Sequence, residues 1–426
     1  MLARGPSGPR GLCVSSPPRP HGCCFWIQDP LHTPASSVSS LLKTRTIKKC
    51  GRLFFYCPPP HTISKGQVEN KTESPDMQNG GRRHVIIMAT TRTGSSFVGE
   101  FFNQEKENMF YLFEPLWHVI NRYSLLSDQI NWFMRKSFQD VLQGLFHCDF
   151  SPMEKFIKPT PVDHITQVLF RRVSSYSLCS DPVCTPQVKR DFQRHCGPLN
   201  LTLASESCRS KKNVVIKTVR VEQLDTLRPL VEDPHLDLKI IQLVRDPRSL
   251  LISNMVTFFS GYKALKALAE YGEESENKTE VKILKGNCDK IRASAEMALS
   301  RPPWLKNNYM LVRYEDVARD PVKKAEEMLT FAGIPFSPQV REWILANTQS
   351  TDQHSGAYST KRNASEQIDK WRVNIPLPVV QLVQKVCGPT MELFGYKFVD
   401  DEKTLLNTSI SLLEEKQFDL FNAKHN

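Results

Sequence analysis

No run of about 18 or more apolar residues occurs anywhere in the 426-residue chain, so the sequence offers no helix able to cross a membrane. Residues 1–80 also lack an apolar core of the length a signal peptide needs. They are rich in Pro, Ser, Gly and Arg, a composition that cannot bury enough surface to offset ordering entropy and predicts a disordered leader. No internal repeat is apparent, which excludes a solenoid or a propeller. Excess charge is scarce too. The formal net charge is +11, yet twelve of the 56 Lys/Arg and four of the 45 Asp/Glu fall in residues 1–83, leaving 44 against 41 beyond them. That balance gives no reason to expect nucleic acid as a partner. Attraction for an acidic polymer would have to come from clusters such as Arg171-Arg172, Lys189-Arg190 or Arg209 to Lys212.

The tight C-x-x-C pairs of a structural zinc site are missing as well. Cys179, Cys184, Cys196 and Cys208 are too widely spaced for one, and no metal is expected. Seven Cys between 148 and 387, together with N-x-[ST] sequons at Asn70, Asn200, Asn277, Asn363 and Asn407, favour disulfides and the lumen of the secretory pathway. The odd number leaves at least one thiol outside an internal pair, and the connectivity is not readable from sequence.

What is present is a chain with 40% hydrophobic residues, enough for a sizeable core. Short apolar runs alternate with helical periodicity: His84 to Ala89, Met109 to Phe113, Asn213 to Lys217, Leu238 to Val244 and Tyr309 to Arg313 read as strands. Residues 119–175 read as mainly helical, and Pro321 to Ala332 as a helix capped by Gly333. Strands alternating with helices predict an α/β fold with a mainly parallel sheet, as one domain over residues 81–400 and a tail over 401–426. Residues 350–366 hold few apolar groups and read as a loop.

The first strand runs into Thr90-Thr91-Arg92-Thr93-Gly94-Ser95-Ser96, after which Phe97, Val98, Phe101 and Phe102 recur at helical spacing. A strand, a hydroxyl-rich turn and a helix start gather backbone N–H groups and a positive dipole end around one small volume, which suits a phosphate or sulfate. A nucleotide triphosphatase loop reads G-x-x-x-x-G-K-[ST]; its first Gly and its Lys are absent, so a Mg-nucleotide kinase is disfavoured. The same design recurs where Leu238 to Val244 ends in Arg245-Asp246-Pro247-Arg248-Ser249-Leu250-Leu251-Ile252-Ser253. Pro247 fits a first helical turn and Asp246 its cap, while the two Arg and two Ser are able to hold a separate phosphate.

Taken together, T-T-R-T-G-S-S and V-R-D-P-R-x-x-x-x-S resemble the 5′-phosphosulfate and 3′-phosphate motifs of sulfotransferases that use 3′-phosphoadenylyl sulfate (PAPS). The chain is more similar still to the Golgi carbohydrate 6-O-sulfotransferases, above all the chondroitin type. Phe110 to His118, Asp181 to Pro186, Cys196 to Asn200, Met310 to Ala318 and Ser365 to Gln367 with Lys370 to Arg372 carry that resemblance, which spans roughly residues 82–400. It implies PAPS as sulfate donor, a glycosaminoglycan acceptor (chondroitin, or alternatively keratan sulfate), a Golgi location and the membrane anchor of type II family members. No such anchor is seen in this chain. A non-catalytic glycan-binding protein is the contrasting possibility, but it would not need both phosphate motifs.

The resemblance assigns Thr90 to Ser96 and Arg245 to Ser253 to the donor, with Arg92 placed to stabilise charge on the 5′-phosphate leaving oxygen. Arg245 and Ser253 are expected on the 3′-phosphate, and the hydroxyls of Thr93, Ser95 and Ser96 in the cradle around Arg92. A guanidinium hardly ever releases its proton, so Arg92 would act by charge and hydrogen bonding and not as a general acid. A sugar hydroxyl is a poor nucleophile, so a base near the sulfur would help; Glu114, at the end of a strand, is the first candidate and His118 the second.

Overall fold

The computed structural model describes residues 81–123, 131–157, 174–184, 199–258, 269–270, 278–348 and 366–418. The expected leader, the loop at 350–365 and the clusters at 171–172 and 189–190 lie outside them. Residues 75–426 form one compact unit.

Five strands, β1 (Arg83–Ala89), β2 (Met109–Phe113), β3 (Asn213–Thr218), β4 (Asp237–Val244) and β5 (Tyr309–Arg313), pair in parallel in the order β2-β3-β1-β4-β5. Every strand is apolar on both sides, as a sheet covered on both faces demands. Ile86 and Met88 of β1 join Phe110, Leu112, Val214, Ile216 and Ile240 in the larger core. Val85, Ile87 and Ala89 point the other way, with Tyr111, Val215, Ile241 and Val312. Helix α1 (Ser95–Asn103) and the helices Pro321–Phe331 and Pro338–Thr348 cover the second face. Helices α2 (Trp117–Tyr123) and α3 (Asn131–Phe146), with Thr279–Leu299 and Leu377–Phe394, cover the first. The α/β architecture with a central parallel sheet therefore stands as read from the sequence.

Strand limits agree with the periodicity to within two residues. Gly333 at φ 67 follows the helix Pro321–Phe331, and Ile334 N–H donates to Leu329 O, the reverse-turn closure that a left-handed residue permits. The expected long helical stretch divides into α2, α3 and Ser151–Ile157 within the described residues.

The domain reaches further than residue 400. Leu405, Leu412 and Leu413 are buried, and Leu413 bridges to Tyr396. Fully buried Arg372 donates to the carbonyl oxygens of Thr404, Leu405, Asn407 and Ile410, while Arg313 donates to that of Glu414. The segment expected as a tail is clamped by arginines inside the fold. Two buried cross-links lie in the larger core: Cys288–Cys387 joins two helices, and Cys148–Cys208 ties the turn after α3 to the helix Leu201–Arg209; Cys184 is also disulfide-bonded. Cys184 and Cys208 are thus committed to disulfides. Among the described residues no His/Cys/Asp/Glu group able to hold a metal occurs, and no helix is long and apolar enough to cross a membrane.

Candidate active site at the carboxyl edge of the sheet

The chain leaves β1 towards β2 on one side, whereas β4 connects to β5 on the other, so β1 and β4 are neighbours whose connections diverge. A crevice opens where such a reversal occurs in a parallel sheet, beyond the carboxyl ends of the strands. Both predicted loops lie there. Arg92 at φ 70 and Gly94 at φ 93 put two left-handed residues into the first loop, a conformation that a non-glycine residue adopts at a cost and that functional loops retain. Thr93 is fully buried, and its hydroxyl donates to Thr90 O at 2.7 Å while meeting the Thr90 hydroxyl at 2.8 Å. Thr93 therefore shapes the turn from within, whereas the expectation placed its hydroxyl in the cradle around Arg92.

The two loops touch. Arg92 Nε donates to Ser253 Oγ at 3.0 Å, and Arg245 Nη1 donates to Arg92 O at 3.0 Å, across 161 and 153 residues of sequence. Arg245 also lies 4.4 Å from the centre of the Tyr314 ring, just beyond β5. That ring fills the space beside Gly94: a Cβ there would come within 2.3 Å of it. Gly94, Tyr314 and Arg245 form a stack that fixes both loops, and sequence reasoning did not single out Tyr314. Its position immediately after a strand was the available signal.

Beneath the second loop, Asp246 caps the helix Pro247–Phe258, its carboxylate accepting from Arg248 N–H at 2.9 Å. Glu315 accepts from Asp246 N–H at 3.0 Å and from Tyr396 Oη at 2.9 Å. Burial, followed by the neighbouring Asp246 charge, raises the Glu315 pKa. Arg248 is entirely buried, pairs with Asp246 at 2.7 Å, donates to Gln384 and Lys397 O, and lies 4.6 Å from the Trp371 ring. Its guanidinium is therefore engaged within the fold, whereas the expectation placed it on the donor. Pro247, Ser249, Leu250, Leu251 and Ile252 are buried too, whereas Arg245 and Ser253 stay partly open.

Glu114 follows β2 at φ 57, with its side chain 11% exposed. Its Oε1 accepts from Lys217 Nζ at 2.6 Å and its Oε2 from Val219 N–H at 3.2 Å. Because Phe113 and Lys217 are partners in adjacent strands, the carboxylate and ammonium meet at the same level of the crevice. Lys217 also lies over the Phe113 ring at 4.3 Å, and Arg220 stands 3.8 Å from Glu114. The pairing of Lys217 with Glu114 was not read from the sequence, which showed only a Lys at a strand end. His118, one turn further on, is buried in α2 with its ring 5.0 Å from that of Trp117. Two polar loops with fixed cations, beside a held carboxylate, can grip a doubly anionic donor and accept a proton from an incoming hydroxyl.

This architecture is that of a sulfotransferase: the family described as the sulfotransferase domain matches residues 82–395. The chain is 53% identical over 365 residues to carbohydrate sulfotransferase 3 of Mus musculus, covering 82% of this chain and 75% of that one. To the Homo sapiens protein of that name it is 55% identical over 345 residues, covering 79% and 72%. To carbohydrate sulfotransferase 1 of Mus musculus it is 44% identical over 352 residues, covering 79% and 85%. The chain belongs to the sulfotransferase family, among its carbohydrate sulfotransferases.

Proposed function

We propose that this enzyme transfers the sulfuryl group of PAPS to the 6-hydroxyl of N-acetylgalactosamine in chondroitin. The observation that carries the donor part is the direct contact of the two anion loops through Arg92, Ser253 and Arg245. Two fixed guanidiniums with hydroxyls and helix starts fit a nucleotide bearing anionic groups at both its 5′ and 3′ positions. PAPS, when bound, supplies an activated sulfuryl group on its 5′-phosphate. Arg92 donates to the phosphate oxygen that departs, and Arg245 with Ser253 holds the 3′-phosphate. Glu114 takes the proton of the acceptor hydroxyl as the new O–S bond forms and the S–O bond to phosphate breaks, with Lys217 and Val219 N–H fixing its orientation. The crevice performs this transfer by positioning and charge, without a metal.

The chondroitin acceptor rests on the motif resemblance described above. The cross-links Cys148–Cys208 and Cys288–Cys387 support an oxidising lumen, hence the Golgi. The test is incubation with PAPS and a panel of unsulfated chondroitin, keratan and heparosan, followed by mass-spectrometric mapping of the sulfated position. Sulfate at the 6-position of N-acetylgalactosamine is the expected product. Modification of keratan alone would replace the acceptor, and absence of any transfer by folded protein would end the enzymatic assignment.

A further inference from the structure

Beside the first loop lies a cavity of about 220 Å³, lined among others by Thr90, Thr91, Arg220, Glu222, Asn287 and Lys290. Its wall includes Val219 to Glu222, just beyond β3, and Arg220 of that wall lies 3.8 Å from Glu114. Two cations face it, and they are not equivalent. Lys290 donates to Glu222, which lines the same wall, so its charge is balanced. Arg220 is held less completely. Among the described residues its guanidinium makes no hydrogen bond, its Nε is buried without an acceptor, and its nearest counter-charge is Glu114 at 3.8 Å. Its side chain remains 30% exposed, and it lines the cavity.

A buried guanidinium N–H without an acceptor is costly, and the planar fork of Arg matches a carboxylate bidentately. In the proposed reaction Arg92 and Arg245 serve the donor's anionic ends, which leaves Arg220 available to an anion of the acceptor. We propose that Arg220 binds the carboxylate of a uronic acid next to the acceptor sugar, which makes the cavity a subsite selective for acidic over neutral chains. The inference rests on the reading of this enzyme as a PAPS-dependent carbohydrate sulfotransferase and names the group by which it chooses its polymer.

The experiment compares chondroitin with carboxyl-reduced chondroitin, identical except that each uronate is a neutral hexose, using wild type, R220Q and R220K. Wild type is expected to favour chondroitin in kcat/KM by about tenfold to a hundredfold, the range of one charge-assisted contact, mainly through KM. R220Q should erase that preference, R220K should restore part of it, and calorimetric affinity for adenosine 3′,5′-bisphosphate should stay at the wild-type value in both. Equal kcat/KM of wild type on the two polymers would refute the inference while leaving the sulfotransferase reading intact. So would an equal loss on both polymers in R220Q, or a loss of nucleotide affinity, each of which would place Arg220 on the donor. Wild type that sulfates neither these polymers nor keratan would overturn the reading and the inference together.

Discussion

Replacing Glu114 by Gln tests the proton acceptor with little change of shape. Gln retains a carbonyl oxygen for Lys217, whose Nζ lies 2.6 Å from Glu114 Oε1, but its amide NH2 then faces the Val219 N–H that now donates at 3.2 Å. One buried donor loses its acceptor and one ion pair becomes a charge–dipole contact, at a cost of about 1–3 kcal/mol in stability. Domains of this kind are stable by about 5–15 kcal/mol, so the variant should remain folded. Loss of a general base lowers turnover by about 10²–10⁴, equivalent to roughly 3–5.5 kcal/mol in the barrier. Rapid-quench single turnover with saturating PAPS and chondroitin isolates the chemical step, while calorimetry with adenosine 3′,5′-bisphosphate reads the donor site, which should be unaltered. If single-turnover rates stay within about threefold of wild type, Glu114 is not the base. If nucleotide affinity falls and the rate does not, it is a binding contact.

Arg92→Ala and Arg245→Ala should each abolish sulfate transfer while near-ultraviolet circular dichroism remains native; wild-type activity in either variant would remove that residue from the donor site. Gly94→Ala combines a φ of 93 with a Cβ only 2.3 Å from the Tyr314 ring, so ring and Arg245 must shift together. We expect at least a tenfold weaker affinity for adenosine 3′,5′-bisphosphate by calorimetry, and unchanged affinity would show that the stack does not position Arg245. His84, buried in β1 with its ring 5.8 Å from that of Phe146, has its pKa lowered to about 4, by burial first and by Arg82 and His147 next. The unfolded chain binds this proton below about pH 6.5 and the folded one only near 4, so stability falls as pH drops through that window, by at most about 3 kcal/mol. In urea titrations at pH 7 and pH 5, His84→Phe should lose less stability on acidification than wild type; parallel losses would refute the assignment.

The five strands were legible because a parallel sheet buried on both faces needs continuous apolar runs, and Val85-Ile86-Ile87, Val214-Val215-Ile216 and Ile240-Ile241 supply them. The two loops were legible because each follows such a run and precedes a helix. Their partners across space were not. Arg245 and Arg248 are alike in a local reading, three residues apart beside one helix start. They separate only because Arg248, inside the helix, turns to Gln384, Lys397 and Trp371, over 120 residues away in sequence. The end of the domain was hidden for the same reason: the carbonyls of residues 404–410 look like a solvated tail until Arg372 is seen beneath them.

The same separation explains why the surroundings of Glu114 were only half readable. A strand-end Glu followed by Pro marks a loop at the ligand edge, and Glu114 is there. What restrains it depends on strand order, because β3 and not β1 lies next to β2. That order sets Lys217 level with Phe113 and carries Val219 and Arg220 past the carboxylate. A carboxylate accepting from one ammonium and one amide keeps further lone pairs available. Had β2 paired with β1, the loop of Arg92 would have faced Glu114 directly, and the nearest cation would have been the one assigned to the leaving group. Placing β3 between them gives the carboxylate its own cation, so that in the proposed reaction proton acceptance and charge stabilisation act from separate strands.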